Sequence, residues 1–265
     1  MPNVNTNRRI VLTNNGRLIQ PPISGYSFWF RADGLVAGYS NSYGSADSGN
    51  AVSRLTDLGG STIYAEQTTG SKQPVLVTST IGTRLRKAVR FTAASLMEFN
   101  VINAEALTNN ISGITMYVVS KINTGGTNQF SIFFSTVSSG TARADIRSLV
   151  ANTWQTSGRR LDADGVQTVA GAASTSAFKI LGGAIDYTNS NAVHYENGAA
   201  VNTNSSFSTD GSTSATNSAA VTIGSSASTN YMNADIGEIL VYIGYHDATQ
   251  VASVHAWLNN FYGLY

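Results

Sequence analysis

The chain has 265 residues, 16 basic and 15 acidic side chains, a formal net charge of +1 and no cysteine. Only 12% of the residues are charged, about half the usual quarter. This excludes the clustered basic surface of a nucleic-acid binder, and the missing cysteine excludes disulfide frameworks and thiolate metal sites. No apolar run approaches the ~18 residues of a membrane-spanning helix, while 42% hydrophobic content is enough for a sizeable core.

Residues 1–23 read as an arm. Arg8 to Leu12 and Arg17 to Gln20 flank Asn14-Asn15-Gly16, a hairpin turn signal, and Pro21-Pro22 then breaks regular structure. An unstructured terminus and an arm docked on a partner subunit are both open. Val11, Leu18 and Ile19 favour docking, because apolar side chains have little reason to sit on a free tail. The opening MPNVNTNRRIVLTNNG lacks the apolar stretch of a signal peptide, so no leader is expected.

Residues 24–265 read as one domain of strands. SFWFRA (27–32), KAVRF (87–91), ITMYVVSKI (114–122) and QFSIFFSTV (129–137) are rich in β-branched and aromatic residues. FKILGGAIDY (178–187), AVHYENGAAV (192–201) and AVTIGSS (220–226) continue the pattern. Asn123 to Asn128 has hairpin-loop composition, and Asn197-Gly198 is a tight-turn signal. Residues 202–219 are low in complexity and read as a long surface loop. The chain closes with a buried strand, a turn and an amphipathic helix over 247–262. Asp247 and Gln250 are spaced as a capping box. Val251, Val254, Leu258 and Phe261 share a face, and Gly263 stands where a C-cap glycine belongs. Many strands, Gly/Asn turns and a lone terminal helix predict an all-β sandwich.

Several motifs, in order, resemble the concanavalin A-like lectin/glucanase superfamily, in its laminin G-like branch. Phe28 to Leu35 resembles the opening strand and acidic turn of those domains. Leu55-Thr56-Asp57-Leu58-Gly59-Gly60 resembles their D-x-S-G turn, with Gly59 where Ser is usual. Gln73-Pro74-Val75 followed by Val89-Arg90-Phe91 is similar to their P…aVrF step, and His194 to Gly198 to their NG hairpin. Asp235 to Tyr242 and the terminal helix resemble their closing elements. The resemblance covers residues 27–265 and implies a two-sheet antiparallel jelly roll. The superfamily includes sugar binders, glycosidases, adhesion modules and virion components, so function has to come from the site.

A retaining glycosidase needs two carboxylates about 5 Å apart. The family's E-x-D-x-E pattern is absent. Asp235 and Glu238, three apart, point to opposite faces of a strand unless a bulge intervenes. His194, His246 and His255 have no ligand spacing. Calcium could be held by oxygen-rich loops such as Tyr43 to Asn50 or Leu161 to Gly165, where Asp162 and Asp164 form half of an EF-hand pattern without the rest; an ordinary turn is the favoured reading of these residues. Tyr39, Tyr43 and Trp154, aromatics in polar surroundings, are candidates for a subunit interface, for stacking on a sugar or for core packing. Arg159-Arg160 reads first as a solvated pair and second as an interface clamp, with Arg159 a candidate glycan or interface contact.

These features lead to an expectation. The chain is read as a non-enzymatic bacteriophage virion surface protein, a capsid decoration, head-fibre or tail-fibre component. It is made in the host cytoplasm and docked to other virion proteins through its arm. It is expected to form a homo-oligomer, a trimer by preference, and to contact host cell-surface glycans. A carbohydrate-binding adhesin module is the alternative, and a glycoside hydrolase the third reading.

Overall fold

A computed structural model describes residues 13–14, 17–18, 20–34, 51–124, 128–138, 140–149, 153–173 and 176–265. In chain order the strands are β1 (Thr13–Asn14), β2 (Arg17–Leu18), β3 (Phe28–Arg31), β4 (Arg54–Thr56), β5 (Tyr64–Glu66), β6 (Val75–Ile81), β7 (Arg84–Phe91), β8 (Phe99–Ile102) and β9 (Gly113–Ile122). They continue as β10 (Gln129–Ser135), β11 (Ala142–Ser148), β12 (Thr153–Gly158), β13 (Gln167–Ala173), β14 (Lys179–Asp186), β15 (Asn191–Glu196), β16 (Ala199–Asn204), β17 (Val221–Ile223) and β18 (Ala234–Ile243). The helix α1 (Ala248–Tyr262) follows. Among the described residues no helix is long and apolar enough to cross a membrane.

Two antiparallel sheets form a sandwich. The front sheet runs β13-β12-β11-β10-β17-β8-β5-β4 and the back sheet β16-β15-β14-β9-β18-β7-β6. The strand β18 divides one edge between two partners: Ala234 to Ile236 pair with β7, and Glu238 to Val241 pair with β3. The switch falls at Gly237, where the register with β9 also slips by one residue. Such a bulge reverses which face the following side chains occupy.

Side-chain alternation explains why β3, β9 and β18 are buried on both faces. In β3, Phe28 and Phe30 enter the core between the sheets, while Trp29 faces the other way. In β9, Ile114, Met116 and Val118 point between the sheets, and Tyr117 and Val119 point outward. That outward face is covered by α1, whose Val251, Val254, Leu258 and Tyr262 pack on Tyr117, Val119, Leu240 and Tyr242. The molecule is therefore three layers: front sheet, back sheet, helix.

The helix ends follow the sequence. Gln250 N donates to Asp247 Oδ1 at 2.8 Å, and the Gln250 side chain accepts from Asp247 N at 3.0 Å. Gly263 adopts φ 70° and its N–H reaches Asn259 O, the left-handed close that glycine favours. Phe261 differs from expectation. It is only partly buried, and Tyr262, four residues after Leu258, holds the fully buried place. Arg84 and Arg86 on β7 donate to Phe261 O at 2.9 and 3.1 Å, satisfying a carbonyl that the helix leaves unpaired.

At the N-terminal end, β1 and β2 pair antiparallel, Thr13 opposite Leu18 and Asn14 opposite Arg17. Leu18 is thereby placed on a hairpin strand, whereas Val11 and Ile19 lie outside the described residues.

Leu258 is 1% exposed. Leu258→Ala should lower stability by about 2–5 kcal/mol, the usual cost of a large-to-small core change, measured by chemical denaturation. A loss below ~1 kcal/mol would mean that the helix layer is peripheral.

Candidate functional site

After β12 the chain passes through Arg159 and Arg160 and makes a tight turn into β13. Asp164 builds the turn: its Oδ2 accepts from Leu161 N at 2.9 Å, and its N–H donates to Leu161 O at 3.1 Å. The facing wall is the segment after β16. Phe207, fully buried, anchors that segment in the core between the sheets. Ser190 ties it down, accepting from Phe207 N at its carbonyl (2.9 Å) and from Ser208 N at its hydroxyl (3.0 Å). Between the walls lies a cleft of about 280 Å³, lined by Arg159, Arg160, Asp164, Gln167, Ser208 and Thr209 among others. β13 and β16 are the terminal strands of their sheets, so the cleft opens at one edge of the sandwich. Its volume is at the small end of the ~300–1,000 Å³ of ligand sites.

Arg160 spans both walls, donating from Nε and Nη2 to Thr209 Oγ1 at 3.1 and 2.6 Å and from Nη1 to Ser212 O at 3.1 Å. Arg159 donates from Nη1 to Asp162 O at 3.2 Å, and its buried Nε has no hydrogen-bond partner. The Ser208 hydroxyl oxygen is buried without a partner too.

The residues singled out by sequence divide sharply. Arg159 lines the cleft. Trp154 does not reach it or the solvent: it lies on β12, is 0% exposed, and packs in the core between the sheets. Its reading as an interface or sugar-stacking aromatic is therefore corrected to core packing. The polar neighbours that suggested a loop belong to the strand, with Thr153, Gln155 and Ser157 on the opposite face. Tyr39 and Tyr43 lie outside the described residues. Asp162 is ion-paired with Arg143 and accepts from Thr216 Oγ1. Burial acts to raise its pKa, but Thr216 and Arg143 hold it below the usual carboxylate range. Asp164 serves its own turn. Among the described residues no three His, Asp or Glu side chains gather as a metal site. Gln167 and Ser206 to Thr209 were not singled out by sequence. The one available signal was Phe207, a lone aromatic anchor in a low-complexity run.

Asp235 and Glu238 do share a face, because the bulge at Gly237 intervenes. Each is spent on cations. Asp235 accepts from Arg90 Nε and Nη2 at 2.7 and 2.8 Å and lies 3.4 Å from Lys121 Nζ. Glu238 accepts from Arg31 Nε at 2.9 Å and Nη2 at 2.8 Å, and from Trp29 Nε1 at 2.6 Å. Burial acts to raise the Asp235 pKa, and the hydrogen bonds from Arg90 and Asn123 hold it below the ordinary range. Both acids have structural roles.

The histidines are packed rather than presented. His246 Nδ1 is 2.8 Å from Tyr117 Oη, and His255 Nδ1 accepts from Gly198 N at 2.8 Å under the helix. His194 Nδ1 is 2.9 Å from Thr156 Oγ1, between the sheets. Burial pushes the pKa of His246 down to about 4 and that of His255 to about 3. Burial also pushes Asp145, on β11 with Arg147 3.5 Å away, up to about 7.

No protein-family model and no curated protein sequence matches the chain. Solved structures do. The binding domain of Paraclostridial Mosquitocidal Protein 1 superposes with a TM-score of 0.62 at 10% identity, over 89% of this chain and 53% of that one. Trypanosoma rangeli sialidase gives 0.58 at 9% identity, over 94% and 35%. The binding domain of Botulinum Neurotoxin DC in complex with SialylT gives 0.52 at 10%, over 89% and 52%. The chain thus spans about a third to a half of the length of these structures. At such identity the likeness establishes the fold alone, a two-sheet antiparallel jelly-roll sandwich with one C-terminal helix.

The titrations have a consequence for stability. In the unfolded chain a histidine binds its proton near pH 6.5, whereas folded His246 and His255 do so only near 4 and 3. Their contribution is full above ~6.5 and is lost as pH falls. Asp145 works in reverse, holding a proton in the fold up to about 7 that the unfolded chain releases near 4. Between pH ~6 and ~5, above the range where Glu196, Asp162 and Asp235 take up protons in the unfolded chain, the unfolded state holds about one proton more than the fold, and stability should fall by ~1.4 kcal/mol per pH unit. In Asp145→Asn the slope should double. Urea denaturation at stepped pH reads both, and equal slopes in the two proteins would refute the assignment.

Proposed function

We propose that the chain is a non-enzymatic carbohydrate-binding sandwich on the surface of a larger assembly, a bacteriophage virion, with the cleft between β13 and β16 as its saccharide seat. The carrying observation is that cleft: it presents guanidinium donors and carboxylate, amide and hydroxyl groups from both walls within one sugar-sized space. A saccharide hydroxyl both donates and accepts, so such a lining suits it. The likeness to a toxin binding domain solved with SialylT and to a sialidase supports a sugar ligand. The engagement of Asp235 and Glu238 with cations supports binding without hydrolysis.

The virion reading rests on other features. The chain has only 12% charged residues and a formal net charge of +1. An isolated two-stranded hairpin is marginal in water, so β1 and β2 call for a neighbouring surface, supplied in this reading by other virion proteins or by copies of the chain in a trimer.

Two experiments test the reading. The purified chain should bind saccharides on a glycan array, and Gln167→Ala, which touches none of the packing described above, should weaken that binding about two- to tenfold, the value of one neutral hydrogen bond. A chain that retains no saccharide removes the reading. Deleting residues 1–22 should leave a folded sandwich that no longer enters particles. Undiminished incorporation would remove the virion part while leaving the sugar-binding part standing.

A further inference from the structure

We infer that the ligand of the cleft is an anionic saccharide, a sugar bearing a carboxylate or a sulfate ester, seated against Arg159 and Arg160. This rests on the cleft being a saccharide seat and adds the charge of what fills it.

Most other arginines are paired within the protein. Among the described residues Arg31, Arg54, Arg86, Arg90, Arg143 and Arg147 each sit against a carboxylate. Arg84 closes the helix at Phe261 O. Arg159 and Arg160 differ. They are adjacent, line the same cleft, and have only neutral partners: the Asp162 carbonyl for one, Thr209 and the Ser212 carbonyl for the other.

The acids nearby do not redress this. Asp162 stands behind the cleft, but its carboxylate is engaged by Arg143. Asp164 is the one acid in the lining, and its Oδ2 accepts from the backbone of its own turn. Asp210 lies between Arg160's partners Thr209 and Ser212 but is exposed and outside the lining, so within the lining two guanidinium groups face one carboxylate. In a chain with a formal charge of only +1, this is a local surplus of positive charge.

The shape of the donors agrees. A guanidinium offers planar, paired N–H groups that match carboxylate and sulfate oxygens. Arg160 is already aimed, because its contacts to Thr209 and Ser212 fix the side chain before any ligand arrives. Arg159 meets only the Asp162 carbonyl and its Nε has no acceptor, so no ion pair within the described residues supplies charge compensation. An anionic group entering the cleft supplies that compensation. A neutral sugar fills the same space without it.

The test is titration calorimetry on the full chain with three oligosaccharides of equal length: galactose, galacturonate and sulfated galactose. The galacturonate or the sulfated oligomer should bind at least about tenfold tighter than the neutral one, as charge-assisted hydrogen bonds are about twice as strong as neutral ones. Tighter binding of galacturonate assigns a carboxylate, and tighter binding of the sulfated oligomer a sulfate ester. The preference should collapse between about 20 mM and about 500 mM salt, where screening shortens the reach of exposed charges. Arg159→Gln and Arg160→Gln should each erase it while thermal unfolding of the variants stays near that of the parent.

Equal affinity for neutral and charged oligomers overturns the inference but leaves the saccharide seat intact. A preference that survives both variants places the anion elsewhere and overturns it as well. Absence of binding to all three, and to a glycan array, removes the saccharide seat itself. If either variant unfolds, the salt dependence and the three-way comparison on the parent chain still decide.

Discussion

The buried pair Arg31–Glu238 holds the layers of this molecule in register. Its side chains are 3% and 1% exposed, under α1 and at the point where β18 changes partner from β7 to β3. Glu238 accepts from Arg31 and from Trp29, both on β3. The Arg31 guanidinium lies 4.0 Å from the Phe261 ring centroid and 5.1 Å from that of Trp257, both on the helix. One ion pair thus connects β3, β18 and α1. A buried pair adds little net stability against an apolar substitute, because both ions have lost water. Loss of one partner is different, since it strands a charge and costs about 3–5 kcal/mol. The pair therefore specifies more than it stabilises: only the register set by the bulge at Gly237 brings Glu238 to the helix side.

Much of this was legible in the sequence, and the places where it was not share a cause. The caps of α1 are local chemistry, Asp247 with Gln250 and Gly263, and local chemistry can be read residue by residue. The strands β9, β10 and β14 announce themselves by β-branched and aromatic content. The front-sheet strands β11, β12 and β13 do not. Their sequences ARADIRS, TWQTSG and QTVAGAA look like loop, because the residues of β11 and β12 opposite the core are polar and yet buried. Arg143, Asp145, Gln155 and Ser157 are all under 2% exposed. Polarity implies solvent only when nothing covers the face, and no local pattern states what covers it. Trp154 was misplaced for this reason. Asp235 and Glu238 failed differently, since a bulge is a property of paired strands rather than of one.

The cleft belongs to the loops, and this is why the fold alone says little about it. Its walls are the turn between β12 and β13 and the segment after β16, held by Asp164 on one side and by Phe207 and Ser190 on the other. Apart from Gln167, the first residue of β13, the lining lies outside the ladders of the two sheets. A sandwich with the same layers could carry a different lining there, as expected for a framework shared at about 10% identity with proteins much longer than itself. Arg159 was visible as a candidate because it is charged in a chain with few charges. Gln167, Ser208 and Thr209 were not, because such residues are everywhere on this surface.

The short strand β16 also sets a geometry for mounting the molecule. The ring of Tyr265 lies against Gly198 at the start of β16, and the cleft begins just past its far end, at Ser206. Six residues of strand separate the two, about 20 Å at the usual rise. A tether, dye or surface attachment joined at Tyr265 therefore holds the sandwich at the opposite end of β16 from the cleft.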